Sequence, residues 1–141
     1  MASSGQPLAL AADARVAHVN PSRLSATARL RFDAGRLYGA TRAEQGGWGP
    51  LRRAVYVALG CLIPAVRYPR LRRDHLRAEP FASLGARFWP ALAVGLACDA
   101  AGQVAGYARG PGGSLDRLAV FEMDRMQHIT RRDRRDLRES V

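Results

Sequence analysis

Residues 88–110 read FWPALAVGLACDAAGQVAGYARG, the longest run of the chain with little charge, and this run decides the fold. A helix turns by about 100° per residue, which separates the glycines and polar residues of this run from its alanines and valines. The glycine and polar side carries Gly95, Asp99, Gly102, Gln103 and Gly106. The alanine and valine side carries Ala93, Val94, Ala97, Ala101, Val104 and Ala105. A glycine-rich side lets another backbone approach closely, while an alanine and valine side suits lipid or an apolar neighbour. We therefore expect Asp99, Gln103 and Tyr107 to have structural roles or to meet a protein partner.

The charge of the chain predicts attraction to something anionic. Its 141 residues are enough for one domain or a fragment of one, and 48% of them are hydrophobic. The formal net charge is +10, which favours lipid headgroups or nucleic acid as partners. All 22 basic residues are arginine. Such a bias is typical of a GC-rich genome, so the charge carries more information than the choice of arginine.

The first 20 residues predict a short residual strand rather than a secretory signal. The segment 8–19 reads LALAADARVAHV, which suggests extended chain with a turn at Asp13. Such a piece cannot pair with itself, so it looks like the edge of a larger sheet. The start of the chain has no positively charged region before an apolar run, and the expected location is cytoplasmic or at the inner leaflet.

A helix is predicted over residues 21–45. Asn20 is a suitable N-cap and Pro21 is suited to the first helical position. Gly46–Pro50 then ends the helix. The helix is expected to be amphipathic, with its arginines on the other faces and one face formed by Thr27, Leu30, Ala34, Leu37 and Thr41.

Residues 51–110 predict a helical hairpin of two apolar segments. The uncharged part of the first, 54–66, is 13 residues long, and a helix needs about 20 to cross a bilayer. Arginines flank it on both sides, which favours a segment lying along one leaflet. We expect membrane-surface contacts from Arg52, Arg53, Arg67, Arg70, Arg72, Arg73 and Arg77. An ordinary buried core helix is the alternative.

The second segment is long enough to span a bilayer, but its composition opposes a simple span. Pro90, Asp99 and Gln103 interrupt it, and a carboxylate at the bilayer centre costs at least about 2.5 kcal/mol. We therefore expect a shallow hairpin, or one packed on a partner.

Residues 111–141 predict a C-terminal amphipathic helix and a charged tail. Ser114 is the expected cap, and one apolar face is expected from Leu115, Leu118, Ala119, Met126 and Ile129. Glu122 lies within that face, so we expect it to pair with Arg125 or another arginine. Taken together, the sequence predicts a mainly α fold.

The chain contains no complete catalytic motif. Its three histidines share no motif spacing, and neither a phosphate-binding loop nor an Asp-x-Asp pair is present. Nucleic acid is an unlikely partner, because aromatic residues make up 7% and none but Tyr68 lies among the arginine runs.

Several segments together resemble the C-terminal part of bacterial family-two glycosyltransferases. They are Val16–Asn20, Gly35–Tyr38 with Arg42, the apolar stretch closing at Pro64 and Arg67, Asp99–Gly110, and Glu122-x-x-Arg125-x-x-His128. The resemblance implies that a nucleotide-sugar-binding catalytic domain precedes this region, and that the region attaches the enzyme to the cytoplasmic face of the inner membrane. It also implies that His18 ends the last strand of that domain, near the donor diphosphate and a Mg²⁺ or Mn²⁺ ion.

The nucleotide-binding strands and the Asp-x-Asp motif of that family are missing from these 141 residues. The leading hypothesis is therefore a membrane-association module or truncated remnant, not catalytically competent alone, with no cofactor of its own. One alternative is a small basic helical protein that binds nucleic acid nonspecifically. Another is one half of a split glycosyltransferase, completed by a separate catalytic domain.

Overall fold

A computed structural model of the chain describes residues 20–77, 85 and 88–139. This part of the chain is mainly helical and has no strand, which confirms the mainly α prediction. The α-helices are α1 (Leu24–Gln45), α2 (Pro50–Ala58), α3 (Leu62–Arg77), α4 (Phe88–Arg109), α5 (Ser114–Met123) and α6 (Arg131–Glu139). Short 3₁₀ turns cover Leu59–Cys61 and Arg125–His128. The strand predicted near the N-terminus, with His18, lies outside the described residues.

The centre of the fold is the pair α1 and α4, which touch through glycine. A Cβ atom added to Gly35 would overlap the carbonyl oxygen of Asp99, and one added to Gly102 would overlap that of Phe32. A Cβ atom added to Gly39 or Gly106 would also overlap a backbone carbonyl oxygen of the other helix. Each helix thus contributes a Gly-x-x-x-Gly pair, a spacing that permits close backbone approach. Because the contacting positions advance together along both helices, α1 and α4 run parallel.

The segment from α2 to α3 runs antiparallel to α4. Its early residue Tyr56 contacts Tyr107, with ring centroids 5.6 Å apart, whereas its later residue Arg67 contacts Asp99. The 3₁₀ turn lies between α2 and α3, just before Pro64. Pro64 therefore occupies the first turn of α3, where its missing N–H leaves no hydrogen bond unmade.

The start of α1 differs from the sequence prediction. The helix begins at Leu24 with Arg23 as its N-cap, rather than at Pro21 after Asn20. The amide groups of Ser22 and Arg23 instead donate to the carbonyl oxygen of His128, at 3.1 and 3.2 Å. The C-terminal segment thus supplies the acceptor that holds this stretch outside the helix.

The buried face of α1 also differs from the predicted one. Its buried residues are Ala26, Asp33, Gly35, Gly39, Ala40 and Ala43, whereas Thr27, Leu30, Ala34, Leu37 and Thr41 are all only partly buried. Small residues replace large ones at this contact because the α4 backbone lies so close.

The single C-terminal helix that the sequence predicts is divided into shorter pieces. α5 ends at Met123, and the 3₁₀ turn and α6 follow. Ile129 is buried, while Leu115 is 61% exposed, so the predicted apolar residues do not share one face. Ser114 is the first residue of α5 rather than its cap, because its hydroxyl donates to Asp33 in α1 instead.

Candidate functional site

A row of three polar side chains follows α4 at intervals of one turn. The Gln103 amide nitrogen donates to Asp99 Oδ2 at 2.9 Å, and the Tyr107 hydroxyl lies 3.4 Å from Gln103 Oε1. Gln103 and Tyr107 are buried, and Asp99 is partly buried. The structure thus brings together the three residues for which the sequence predicted partners, and their hydrogen-bonding groups satisfy one another.

An arginine lies at each end of this row. Arg67 of α3 donates to Asp99 Oδ2 at 2.8 Å, and its side chain is 53% exposed. At the other end, Arg42 of α1 donates to the Tyr107 hydroxyl at 3.4 Å. That hydrogen bond raises the pKa of Arg42. The guanidinium is charged at physiological pH, as arginine is in proteins generally.

An open cleft of about 770 Å³ lies above the row, between α1, α2–α3 and α4. The apolar and aromatic residues that line it are Ala34, Tyr38, Tyr56, Leu59, Leu62, Ile63 and Val66. Its polar lining consists of Arg42, Arg67, Asp99, Gln103 and Tyr107. A cleft of this size, with apolar walls and a few converging polar groups, has the usual character of a small-molecule site.

Aromatic rings close the Arg42 end of the cleft. The Trp48 ring lies 4.3 Å from Tyr56 and 5.5 Å from Tyr107, centroid to centroid. The Arg42 guanidinium lies 5.2 Å from the Trp48 and Tyr56 ring centroids, and Arg52 lies 4.5 Å from Trp48. These cation–π contacts orient Arg42 without neutralising it.

A second polar cluster, which the sequence did not predict, is centred on Asp33. This carboxylate, buried in α1, accepts hydrogen bonds from Arg117 Nη2 at 2.6 Å and from Ser114 Oγ at 2.8 Å. These hydrogen bonds connect the start of α5 to α1. The Arg117 hydrogen bond lowers the pKa of Asp33 below its ordinary 3.8, burial opposes that shift, and Ser114 lowers the pKa further.

Acid should therefore weaken the fold through Asp33. Because the folded-state pKa is lowered, the stability that Asp33 contributes is complete above about pH 4 and is lost as the pH falls through the folded pKa. We expect unfolding curves measured from pH 7 to pH 2 to show a smaller loss of stability below about pH 4 for Asp33→Asn than for the unchanged chain. Asp116→Asn removes an exposed acid nearby and should reduce the loss less than Asp33→Asn does. Equal acid sensitivity in all three proteins would contradict this assignment.

A line of exposed apolar side chains follows one side of α2 and α3, and three of its members also line the cleft. Its members, with their exposed fractions, are Leu51 at 79%, Val55 at 46%, Leu59 at 53%, Leu62 at 50% and Val66 at 66%. Their spacing of three or four residues keeps them on one side of the helical segment over about 22 Å. We call this set the outer stripe.

The predicted membrane-surface arginines are grouped around the ends of the outer stripe. The exposed ones are Arg52, Arg67, Arg70, Arg72 and Arg73. Arg53 is partly buried and donates to the Trp48 carbonyl at 3.1 Å, while the side chain of Arg77 lies outside the described residues. The expected ion pair between Glu122 and Arg125 is present, on the side of the molecule formed by α5.

The divalent metal implied by the family resemblance finds no ligand set in the described part of the chain. No three histidine, cysteine or acidic side chains converge there.

A comparison of the chain with protein families, with curated proteins and with solved structures found no match.

Proposed function

We propose that this protein is a membrane-association module that attaches to the cytoplasmic face of a bacterial inner membrane. The observation that carries the proposal is the outer stripe, five large apolar side chains exposed in one line with arginines at both ends. Burying one such side chain in an apolar phase is worth about 1.5 to 3 kcal/mol. A stripe of this size favours contact with an acyl-chain region.

The charge supports an anionic surface as the partner. An arginine held near an anionic leaflet contributes about 1 kcal/mol, and five of the flanking arginines are exposed. The segment lies in the membrane plane, with its apolar side at the headgroup boundary.

The length and hydropathy of α4 also support membrane association. Among the described helices, α4 is the one that is long and apolar enough to cross a membrane, with a mean hydropathy of 1.2. Only 22% of its most apolar window is buried within the chain. In this proposal α4 and the α2–α3 segment form the two arms of the hairpin, and the alanine and valine side of α4 also faces lipid.

The resemblance to family-two glycosyltransferases suggests what such a module would attach. The partner would be a catalytic domain that binds the nucleotide sugar and a divalent metal, and His18 would belong to that domain's site. The chain would then be a C-terminal remnant or one half of a split enzyme. Mixing it with a separately produced catalytic half should restore sugar transfer, and His18→Ala should lower that activity.

Flotation with vesicles tests membrane attachment. The purified chain should float with vesicles of phosphatidylcholine and phosphatidylglycerol, less so with phosphatidylcholine alone, and less at high salt. Changing Leu51 and Val55 to glutamate should reduce the partition coefficient at least about tenfold, because two apolar side chains lose their burial.

The matched control changes Leu115 and Val120, which are 61% and 65% exposed on α5, to glutamate. This variant adds the same charge through the same two types of substitution, so it should float almost like the unchanged chain. Equal loss in both variants, or no flotation of the unchanged chain, would refute the proposal. Duplex DNA binding with a steep salt dependence would then point to nucleic acid.

A further inference from the structure

We propose that the cleft between α1, α3 and α4 binds one anionic phospholipid, with its phosphate at Arg42 and one acyl chain along the apolar wall. This inference rests on the proposed membrane association and adds a specific lipid site to it.

Arg42 is the group that selects an anion. Its guanidinium lines the cleft and donates to the Tyr107 hydroxyl over a long 3.4 Å. Within the described residues it has no carboxylate partner. Most of its five N–H donors therefore remain available, and their fork geometry suits a phosphate.

The two ends of the cleft differ in charge. Arg67 is neutralised by Asp99 at 2.8 Å, whereas Arg42 is neutralised by nothing described. The lining thus holds two arginines and one aspartate, a formal charge of +2 − 1 = +1. An anionic head is attracted to the Arg42 end, and the carboxylate at the other end disfavours a second anion.

The apolar wall selects a lipid rather than a free anion. Leu59, Leu62 and Val66 belong both to the cleft lining and to the outer stripe. The cleft is therefore continuous with the surface that we propose lies in the headgroup region. An acyl chain can reach it without leaving apolar contact, whereas a free phosphate gains nothing from this wall.

Calorimetry with short-chain lipids below their micelle concentration tests the site without any membrane. Dioctanoyl phosphatidic acid should bind the full chain saturably. Dihexanoyl phosphatidic acid should bind about 15-fold more weakly, since two methylene groups of the bound chain are missing. Inorganic phosphate, which has no acyl chain, and dioctanoyl glycerol, which has no phosphate, should both compete poorly with dioctanoyl phosphatidic acid.

The decisive variant is Arg42→Gln, with Arg52→Gln as its matched control. Both remove one arginine that contacts the Trp48 ring, but only Arg42 lines the cleft, and the membrane-surface contact proposed for Arg52 plays no part in a titration without vesicles. Arg42→Gln should weaken dioctanoyl phosphatidic acid at least about tenfold, and Arg52→Gln less than about twofold. Far-UV circular dichroism checks that both variants fold. The comparison of dioctanoyl with dihexanoyl phosphatidic acid uses the unchanged protein, so it tests the site even if a variant does not fold.

Three results would overturn the proposal, the first being no saturable binding of dioctanoyl phosphatidic acid to the unchanged chain. Equal weakening by Arg42→Gln and Arg52→Gln would mean general charge attraction, and competition by inorganic phosphate as strong as by the lipid would mean a bare anion site. Flotation can succeed while this titration fails, so failure of the lipid site is distinguishable from failure of membrane attachment.

Discussion

Replacing Gly102 by alanine is expected to destabilise the fold by about 3 kcal/mol or more. The added Cβ would overlap the carbonyl oxygen of Phe32 and would lie 2.8 Å from the backbone nitrogen of Arg36. Both neighbours are backbone atoms of α1, so no side-chain rotation can relieve the contact. The two helices must separate, and the packing around Gly35 and Gly106 is weakened with it.

Gly95 provides the control on the same helix. A Cβ added there meets nothing within 4 Å, and alanine is more favourable than glycine in a helix by up to about 1 kcal/mol. Gly95→Ala should therefore leave stability unchanged or raise it, while Gly102→Ala lowers it. Urea unfolding followed by far-UV circular dichroism measures both. Effects of the same sign and size would show that close approach of α1 and α4 does not hold the fold together.

Replacing Asp33 by alanine is expected to cost about 2 kcal/mol, because hydrogen bonds to a charged group are lost and a buried donor is left unpaired. Ser114 is fully buried and donates to Asp33, and Arg117 loses its carboxylate partner. The predicted consequence is local as well as global. The start of α5 should separate from α1 before the α1–α4 pair unfolds.

Hydrogen exchange and urea unfolding together test this expectation. Amide protection should fall in α5 more than in α4 for Asp33→Ala. The control is Asp116→Ala, which removes an exposed acid from the first turn of α5 and should cost less than about 1 kcal/mol. If Asp116→Ala is as harmful as Asp33→Ala, the helix terminus rather than the buried cluster is responsible.

The sequence predicted the two sides of α4 in part. Gly102, Gln103 and Gly106 are buried, and Ala93, Val94, Ala97 and Ala101 are exposed, whereas Gly95, Asp99, Val104 and Ala105 are all partly buried. This was possible because a helix has a fixed rotation per residue, so a single segment carries the information. The same reasoning failed for the C-terminal helix, which ends at Met123; His128, in the turn that follows, accepts hydrogen bonds from Ser22 and Arg23, and such distant contacts are not part of a local pattern.

The candidate cleft was only partly visible in the sequence. Asp99, Gln103, Tyr107 and Arg67 were singled out, but nothing in the pattern joined them to Arg42 as one site. The Arg42 and Tyr107 side chains are 65 positions apart in the chain, and Arg117 and Asp33 are 84 positions apart. Asp33 could have been noticed as an acid on a helix otherwise rich in arginine, although its partner could not.

The amino-acid sequence by itself determined that this chain is mainly helical, strongly basic and apolar in two segments, since composition and periodicity are local properties. Only the tertiary structure decided that α4 takes α1 as its closest partner, in parallel. Close backbone contact needs glycine on both helices in matching register. The role of Gly35 and Gly39 is therefore visible only when α1 lies beside Gly102 and Gly106 of α4. The packing also decided how far each apolar side chain of the outer stripe is exposed, because exposure depends on neighbours from other helices and not on periodicity within one segment.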